Sequence, residues 1–344
     1  DRDVTGVQTC ALPICSVFSV VIIVHELGHY LVAKAVGIAV EEFSIGFGPK
    51  LLSLGKNTKL SIRLIPMGGF VRMLGEEDGS GGDNPASYAN KTPWQRMGVI
   101  GAGPIMNFVL AMVIFIILYA SLGATVDNVA IIGGIIPDSP AEQAGLQPGD
   151  EVLSIDSKAT KKWTDIQEIV RASENEALTF TLRRGEQTHV VEVLPRMGET
   201  APEVGISPRL KRLTVGATII QGIKETWNMT AAVFTSLVGI ITRKIPVGDL
   251  TGPIGIVHYV GEAARTGILN VLSLTALISV NLGLFNLLPI PALDGSKIIL
   301  LGVELVRKKP LDPEKEGLIH LVGFALLIIL MLVIMYKDIV RFLL

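Results

Sequence analysis

Charge is the scarcest ingredient of this chain. Asp, Glu, Lys and Arg make up 18% of its 344 residues, against roughly 25% in an ordinary soluble domain. With 49% apolar residues and a mean hydropathy of +0.52, that shortage excludes a disordered protein and argues against a purely soluble one. Cysteine is nearly absent. Cys10 and Cys15 are too few for a disulfide framework and carry no information on redox compartment. An excess of one charge sign is also missing. Thirty Lys and Arg against 32 Asp and Glu leave a net charge of −2, without the strongly basic face of a nucleic-acid binder. The length allows two or three domains.

What is present is unevenly placed. Long stretches without Asp, Glu, Lys or Arg cover residues 4–24 (continuing through His25, Glu26 and His29 to Ala33), 97–126, 266–293 and 318–336. About 20 mostly apolar residues cross a bilayer core, so all four are expected to be spanning helices. Residues 1–15 are expected to be a doubtful or artefactual head. Pro13 interrupts them, and they lack the basic start and small-residue cleavage site of a signal peptide.

Lys and Arg cluster in the 34–96 connection and in the short 297–317 connection, which holds Lys297, Arg307, Lys308, Lys309 and Lys315. Both connections are expected in the cytoplasm. That places both termini and the 127–265 segment outside.

Residues 40–74 read as short strands: 43–48, 59–66 and 68–72. Alternation from Lys59 to Ile65 fits a strand with two unlike faces. A small cytoplasmic hairpin and a membrane-associated β-loop offering an edge to an extended peptide both fit. Residues 124–196 resemble a PDZ domain of the kind fused to bacterial membrane and periplasmic proteases. Ser139 would cap a short helix ended by Gly145, and Pro148-Gly149-Asp150 would turn into a strand. Trp163–Ala172 would be the groove helix. Such a domain either binds a peptide or acts as a steric filter. In residues 216–242, Ile220, Ile223, Trp227, Ala231, Phe234, Val238 and Ile241 recur at steps of three or four. That is an amphipathic helix expected on the outer surface.

His25-Glu26-Leu27-Gly28-His29 is an H-E-x-x-H pattern at the end of the unbroken apolar run 17–24. Residues four apart lie about 40° apart around a helix, so both imidazoles can face one zinc with Glu26 beside it. Ionisable groups at that depth are costly and usually functional. A third ligand must come from elsewhere. His189, His258 and His320 are the other histidines. Asp294 is the first carboxylate after the uncharged run 266–293, where Pro289 and Pro291 break the helix. It fits a ligand platform and equally a solvated interfacial aspartate.

Taken in order, His25-Glu-Leu-Gly-His29, Gly103-Pro-Ile-Met-Asn107, the PDZ-like segment and Asn286-x-x-Pro-x-Pro-x-Leu-Asp294-Gly295 resemble the bacterial site-2 proteases. These are intramembrane zinc metalloproteases that cleave anti-sigma factors and remnant signal peptides. The resemblance covers nearly everything from Ser16 to Leu344. It implies a mainly α membrane protein of the bacterial cytoplasmic membrane, with four transmembrane helices, a membrane-associated β-loop and an extracytoplasmic PDZ-like α+β domain. The divisions would be 16–123, 124–196, a 197–265 linker and 266–344. The resemblance also implies zinc bound by His25, His29 and Asp294, with Glu26 catalytic. Asn286 and Asn107 would be substrate-binding, and single-pass membrane proteins would be the substrates. This chain has one PDZ-like domain where the enterobacterial form has two. The competing readings are a soluble-type zinc peptidase on a membrane anchor and a non-catalytic PDZ-containing receptor with a structural metal site.

Overall fold

The apolar run that ends in the two histidines becomes the core of a long helix, α1 (Arg2–Ala35). In hydrocarbon only a helix satisfies every backbone group of a single segment. The helix stops where Gly37 adopts φ +73° and the Val36, Gly37 and Ile38 amides bond back to Val32, Lys34 and Ala33. A left-handed residue of this kind commonly closes a helix. The computed structural model describes residues 2–76, 82–126, 129–173, 176–198, 201–244, 252–309 and 313–342.

Strands β1 (Val40–Leu54) and β2 (Lys59–Met73) follow. They are longer than the three short strands expected, and each folds back on itself. Glu42 is opposite both Lys59 and Arg72, and Ile45 is opposite both Ile62 and Gly69. The ranks therefore run 50–54, 59–63, 42–47, 69–73. The folds occur at glycines in the left-handed region, Gly46 (φ +86°) and Gly68 (φ +102°), where other residues are strained. At the bend, Arg63 donates to Ser44 Oγ (2.8 Å), the Gly48 carbonyl (2.9 Å) and Glu42 Oε1 (2.9 Å). Lys50 donates to Glu42 Oε2 at 3.0 Å. Burial pushes the Glu42 carboxyl up. Hydrogen bonds from Ser61, Lys50 and Arg63 outweigh that and hold it at about 2. Around this charged centre Phe47, Leu51, Leu52, Leu64 and Ile65 are exposed.

Helix α2 (Pro93–Leu122) starts with a reciprocal cap: the Thr92 hydroxyl accepts from Gln95 N, and Gln95 Oε1 accepts from Thr92 N. Such boxes satisfy two otherwise orphaned donors.

Residues 119–219 form a separate compact unit. Its elements are β3 (Ala124–Thr125), β4 (Ile132–Ile135), α3 (Pro140–Gln143), β5 (Glu151–Ile155), β6 (Lys158–Ala159), α4 (Trp163–Ala172), β7 (Leu178–Arg184) and β8 (Gln187–Val193), then β9 (Arg196–Met197), β10 (Pro202–Glu203), β11 (Ile206–Pro208) and β12 (Leu210–Lys211). An antiparallel sheet in the order β6-β5-β7-β8 packs with α4 around Ile132, Val152, Ile155, Ile166 and Phe180. Ser139 caps α3 through Glu142 N, and Gly145 has φ +78°. The unit does not stop at residue 196. β11 pairs with β4 and β12 with β3, so residues 202–211 complete it rather than belonging to a linker. A cleft of about 250 Å³ lies along α4 and residues 202–208. Asp150, 1% exposed, receives a two-pronged pairing from Arg184.

The chain returns through α5 (Val215–Ile241), α6 (Pro253–Thr266), α7 (Ile268–Asn286), α8 (Asp294–Arg307) and α9 (Pro313–Phe342). On α5 the expected apolar residues Ile220, Ile223, Trp227 and Phe234 are exposed, while Thr218 and Thr226 are buried. Its Gly222 meets α2 closely enough that a Cβ would lie 2.5 Å from the Ile116 side chain. The α6 helix had no counterpart in the sequence reading. Its amino end is capped by buried Asp338 of α9, which accepts from Gly252 N (3.1 Å) and Gly255 N (2.9 Å).

Among the described residues, four helices are long and apolar enough to cross a membrane: Pro13–Ala35 within α1, α2, α7, and Gly317–Val340 within α9. The α7 span is shorter than the uncharged run 266–293. Gly267 (φ +128°) separates it from α6, and it ends at Asn286 ahead of the two prolines.

Candidate metal centre

His25 and His29 sit one turn apart on α1, and both are 7% exposed. They face α2 at a close approach that two glycines permit. A Cβ on Gly28 would lie 2.3 Å from the Ala102 carbonyl oxygen, and one on Gly103 would lie 2.3 Å from His29 Nε2. Small residues let helix backbones meet in this way. Earlier in α1, Ile14 and Val17 pack with Val260 of α6 and Val271 and Leu274 of α7.

Asp294 is the first residue of α8, just past the proline-broken end of α7. Gly295 allows the turn. A Cβ there would lie 2.4 Å from the Leu287 and Leu288 carbonyl oxygens. Without that side chain α8 starts against the end of α7, and the Asp294 carboxylate reaches α1.

The result is a triangle of potential ligand atoms. His25 Nε2 and His29 Nε2 are 3.1 Å apart. Asp294 Oδ2 lies 3.2 Å from the first and 3.5 Å from the second. A tetrahedral ion with bonds of about 2.0–2.1 Å has ligand atoms about 3.3–3.4 Å apart. The three edges match one face of such a tetrahedron. The His29 Nδ1–H donates to the Val99 carbonyl at 2.9 Å. In the neutral ring this leaves a lone pair on Nε2, pointing into the triangle. Asp294 Oδ2 is buried with no hydrogen-bond donor of its own. Three converging nitrogen and oxygen atoms fit a divalent cation, and the two-nitrogen, one-oxygen donor set suits zinc. These are the three residues that group as a possible metal site among the described residues.

Glu26 lines the same cavity of about 170 Å³, together with Phe70, Val71, Glu76 and Lys297. The rank 69–73 runs past it, so that a Cβ on Gly69 would lie 3.5 Å from Glu26 Cγ. Lys297 Nζ donates to Glu76 Oε1 at 3.0 Å. Arg96 of α2 pairs with Glu304 of α8.

The remaining candidates are dispersed. Asn107 is fully buried behind His25, with its Nδ2 3.1 Å from His25 Nδ1. Asn286 ends α7 and is not among the cavity-lining residues. His320 Nδ1 accepts from Ala292 N, and His189 lies in β8 of the separate unit. The Val99 carbonyl and the Glu76–Lys297 pair had no signal in the sequence, and Gly28 and Gly103 stood within the quoted motifs without a packing role. Closely spaced glycines in an apolar helix were the available signal for the close approach.

The profile of Peptidase family M50 matches residues 13–330. A relative from Clostridium acetobutylicum is 39% identical over 330 residues, covering 94% of this chain and 95% of its own. Zinc metalloprotease RasP of Geobacillus kaustophilus is 35% identical over 408 residues, covering 95% of this chain and 96% of that protein. Regulator of sigma-W protease RasP of Bacillus subtilis is 32% identical and covers 94% of this chain and 97% of its own. Among solved structures, a PDZ domain from Listeria monocytogenes shares 19% identity over 25% of this chain and 90% of its own, with a TM-score of 0.22. The PDZ-like reading of residues 124–196 accordingly rests on their own elements. With the profile spanning most of the chain and relatives above 30% identity over nearly all of it, this protein belongs to peptidase family M50 and is a zinc metalloprotease.

Proposed function

We propose that the chain hydrolyses peptide bonds within or beside the transmembrane segments of single-pass membrane proteins, with His25, His29 and Asp294 as zinc ligands and Glu26 as the catalytic carboxylate. The triangle of Nε2, Nε2 and Oδ2 atoms carries this reading, because its edges of 3.1, 3.2 and 3.5 Å suit one ion. Held by these three residues, zinc would supply an acidified water and a polarised scissile carbonyl. Glu26, beside them in the same cavity, would serve as the proton carrier, accepting a proton from the attacking water and delivering one to the leaving amine.

A helical substrate keeps its carbonyls hydrogen-bonded, so it must unwind to be cut. The outer edge of the 69–73 rank is the natural place for the unwound segment. No further strand among the described residues pairs there, and the rank passes Glu26. An extended segment adding to this edge gains main-chain hydrogen bonds while crossing the cavity mouth. By resemblance, the Asn286 amide holds the same segment.

The basic segments 34–96 and 297–317 support a cavity that opens toward the cytoplasm. Both termini and the PDZ-like unit then face the outside, where the cleft along α4 filters or binds substrate ends. The relative named for sigma-W regulation supports anti-sigma factors as substrates, and remnant signal peptides have the same single-span form.

The test is cleavage of a model single-pass protein in detergent. Wild type is expected to cut, to stop on chelation and to recover with Zn²⁺. Glu26→Gln is expected to keep its zinc and lose cleavage. A Glu26→Gln protein that cleaves at the wild-type rate overturns the assignment.

A further inference from the structure

Asn107 is fully buried, and its amide presents an unmet demand. Its Nδ2 faces His25 Nδ1 at 3.1 Å, while Oδ1 is buried without a hydrogen-bond partner. The residue has little freedom to move away. Its backbone carbonyl accepts from Ser279 Oγ at 2.8 Å, and Gly283 of α7 approaches so closely that a Cβ there would lie 3.3 Å from Asn107 Cβ.

The chemistry of His25 decides which way the amide must point. A ring that offers Nε2 to a cation carries its proton on Nδ1. An Nδ1–H needs an acceptor, and an amide nitrogen is a donor. The two amide orientations differ by a half-turn that exchanges nitrogen and oxygen in nearly the same positions. Turning it places the orphaned Oδ1 on the Nδ1–H. It also removes the opposition of two donors.

We propose that Asn107 is a positioning residue for zinc, whose side-chain oxygen accepts from His25 Nδ1–H and holds the ring in the tautomer that presents Nε2. The inference rests on the ligand assignment above. It takes Asn107 away from the substrate and places it behind the metal. His29 is held in the equivalent way by the Val99 carbonyl, so each imidazole has one acceptor supplied by α2.

The test is zinc affinity of the full chain in detergent, read by competition with a chelator, for wild type and for Asn107→Asp, Asn107→Leu and Asn107→Ala. Aspartate supplies an acceptor and no donor. Asn107→Asp is therefore expected to bind zinc within a few-fold of wild type. Leu and Ala supply neither, and affinity should fall about 10–100-fold, the usual cost of losing a partner behind a metal-bound histidine. Equal affinity in Asn107→Leu and wild type overturns the proposal. So does an Asn107→Asp protein weakened as much as Asn107→Leu, because the residue would then act by shape alone. Should neither apolar variant fold, Asn107→Asp decides by itself: a tenfold loss refutes the acceptor role. Wild type that binds no zinc, or His25→Ala that binds it as well as wild type, sinks the ligand assignment instead. The two failures are thus distinguishable.

Discussion

Replacing Gly103 by alanine tests the centre most sharply, because it adds one methyl group where the structure has no room. The new Cβ would lie 2.3 Å from His29 Nε2, 2.6 Å from His29 Cε1 and 2.8 Å from His25 Cε1. Non-bonded carbon atoms settle at about 3.5–4.0 Å, so something must move by about 1 Å. The imidazoles are poorly placed to do so. His29 is tied to Val99 and His25 faces Asn107. The helices themselves are in contact at Gly28 and Ala102. Overpacking of this kind costs about 1–3 kcal/mol. The effect on the metal should be larger than the effect on the fold, because ligand positions tolerate only about 0.2 Å. We expect Gly103→Ala to fold in the membrane, to bind zinc at least tenfold more weakly and to cleave correspondingly less. Gly98 supplies the control on the same helix. A Cβ there meets nothing within 4 Å, so Gly98→Ala should be neutral or gain up to about 1 kcal/mol from helix propensity. Zinc titration and substrate cleavage of both variants check this. Full zinc affinity and full activity in Gly103→Ala would refute the packing of α1 against α2 and the metal geometry derived from it.

Other consequences follow from single residues. Asp294→Ala removes one corner of the triangle and should reduce zinc from one ion per chain to a trace after dialysis; unchanged metal content would remove Asp294 from the ligand set. Glu42→Gln should destabilise the β1–β2 loop at neutral pH. The folded carboxyl is held at about 2, below its ordinary 4.5, so its contribution is complete above about 4.5, declines as pH falls and is gone below about 2. Protease susceptibility of that loop should therefore differ between variant and wild type at pH 7 and converge near pH 2. Arg184→Met strands Asp150 in the PDZ-like unit. The loss should be about 2 kcal/mol in hydrogen-exchange protection of β5 and β7, less than the 3–5 typical of fully buried pairs because Arg184 is 31% exposed.

The sequence by itself determined the long apolar helices, the local turns and the pairing of two histidines on one helix face. Runs of about twenty uncharged residues have one low-energy form in lipid, which is why all four spans were legible. Spacing of four on a helix is a local angle, so His25 and His29 were necessarily neighbours on one face, with Glu26 adjacent. Local turn chemistry likewise marked Ser139 and Gly145. What lay beyond the sequence was everything that depends on two distant segments meeting. Whether Asp294 is a ligand or a solvated acid depends on where α8 begins relative to α1, and only packing at Gly295 against Leu287 and Leu288 decides that. The double fold of β1 and β2 was hidden because strand pairing is non-local, and a period of two says nothing of which segment lies opposite. The return of β11 and β12 to β4 and β3 was hidden for the same reason. Asn107 shows the limit most clearly: its motif put it near the centre, but only the packing of α2 against α1 and α7 brought its buried amide to 3.1 Å from His25 Nδ1.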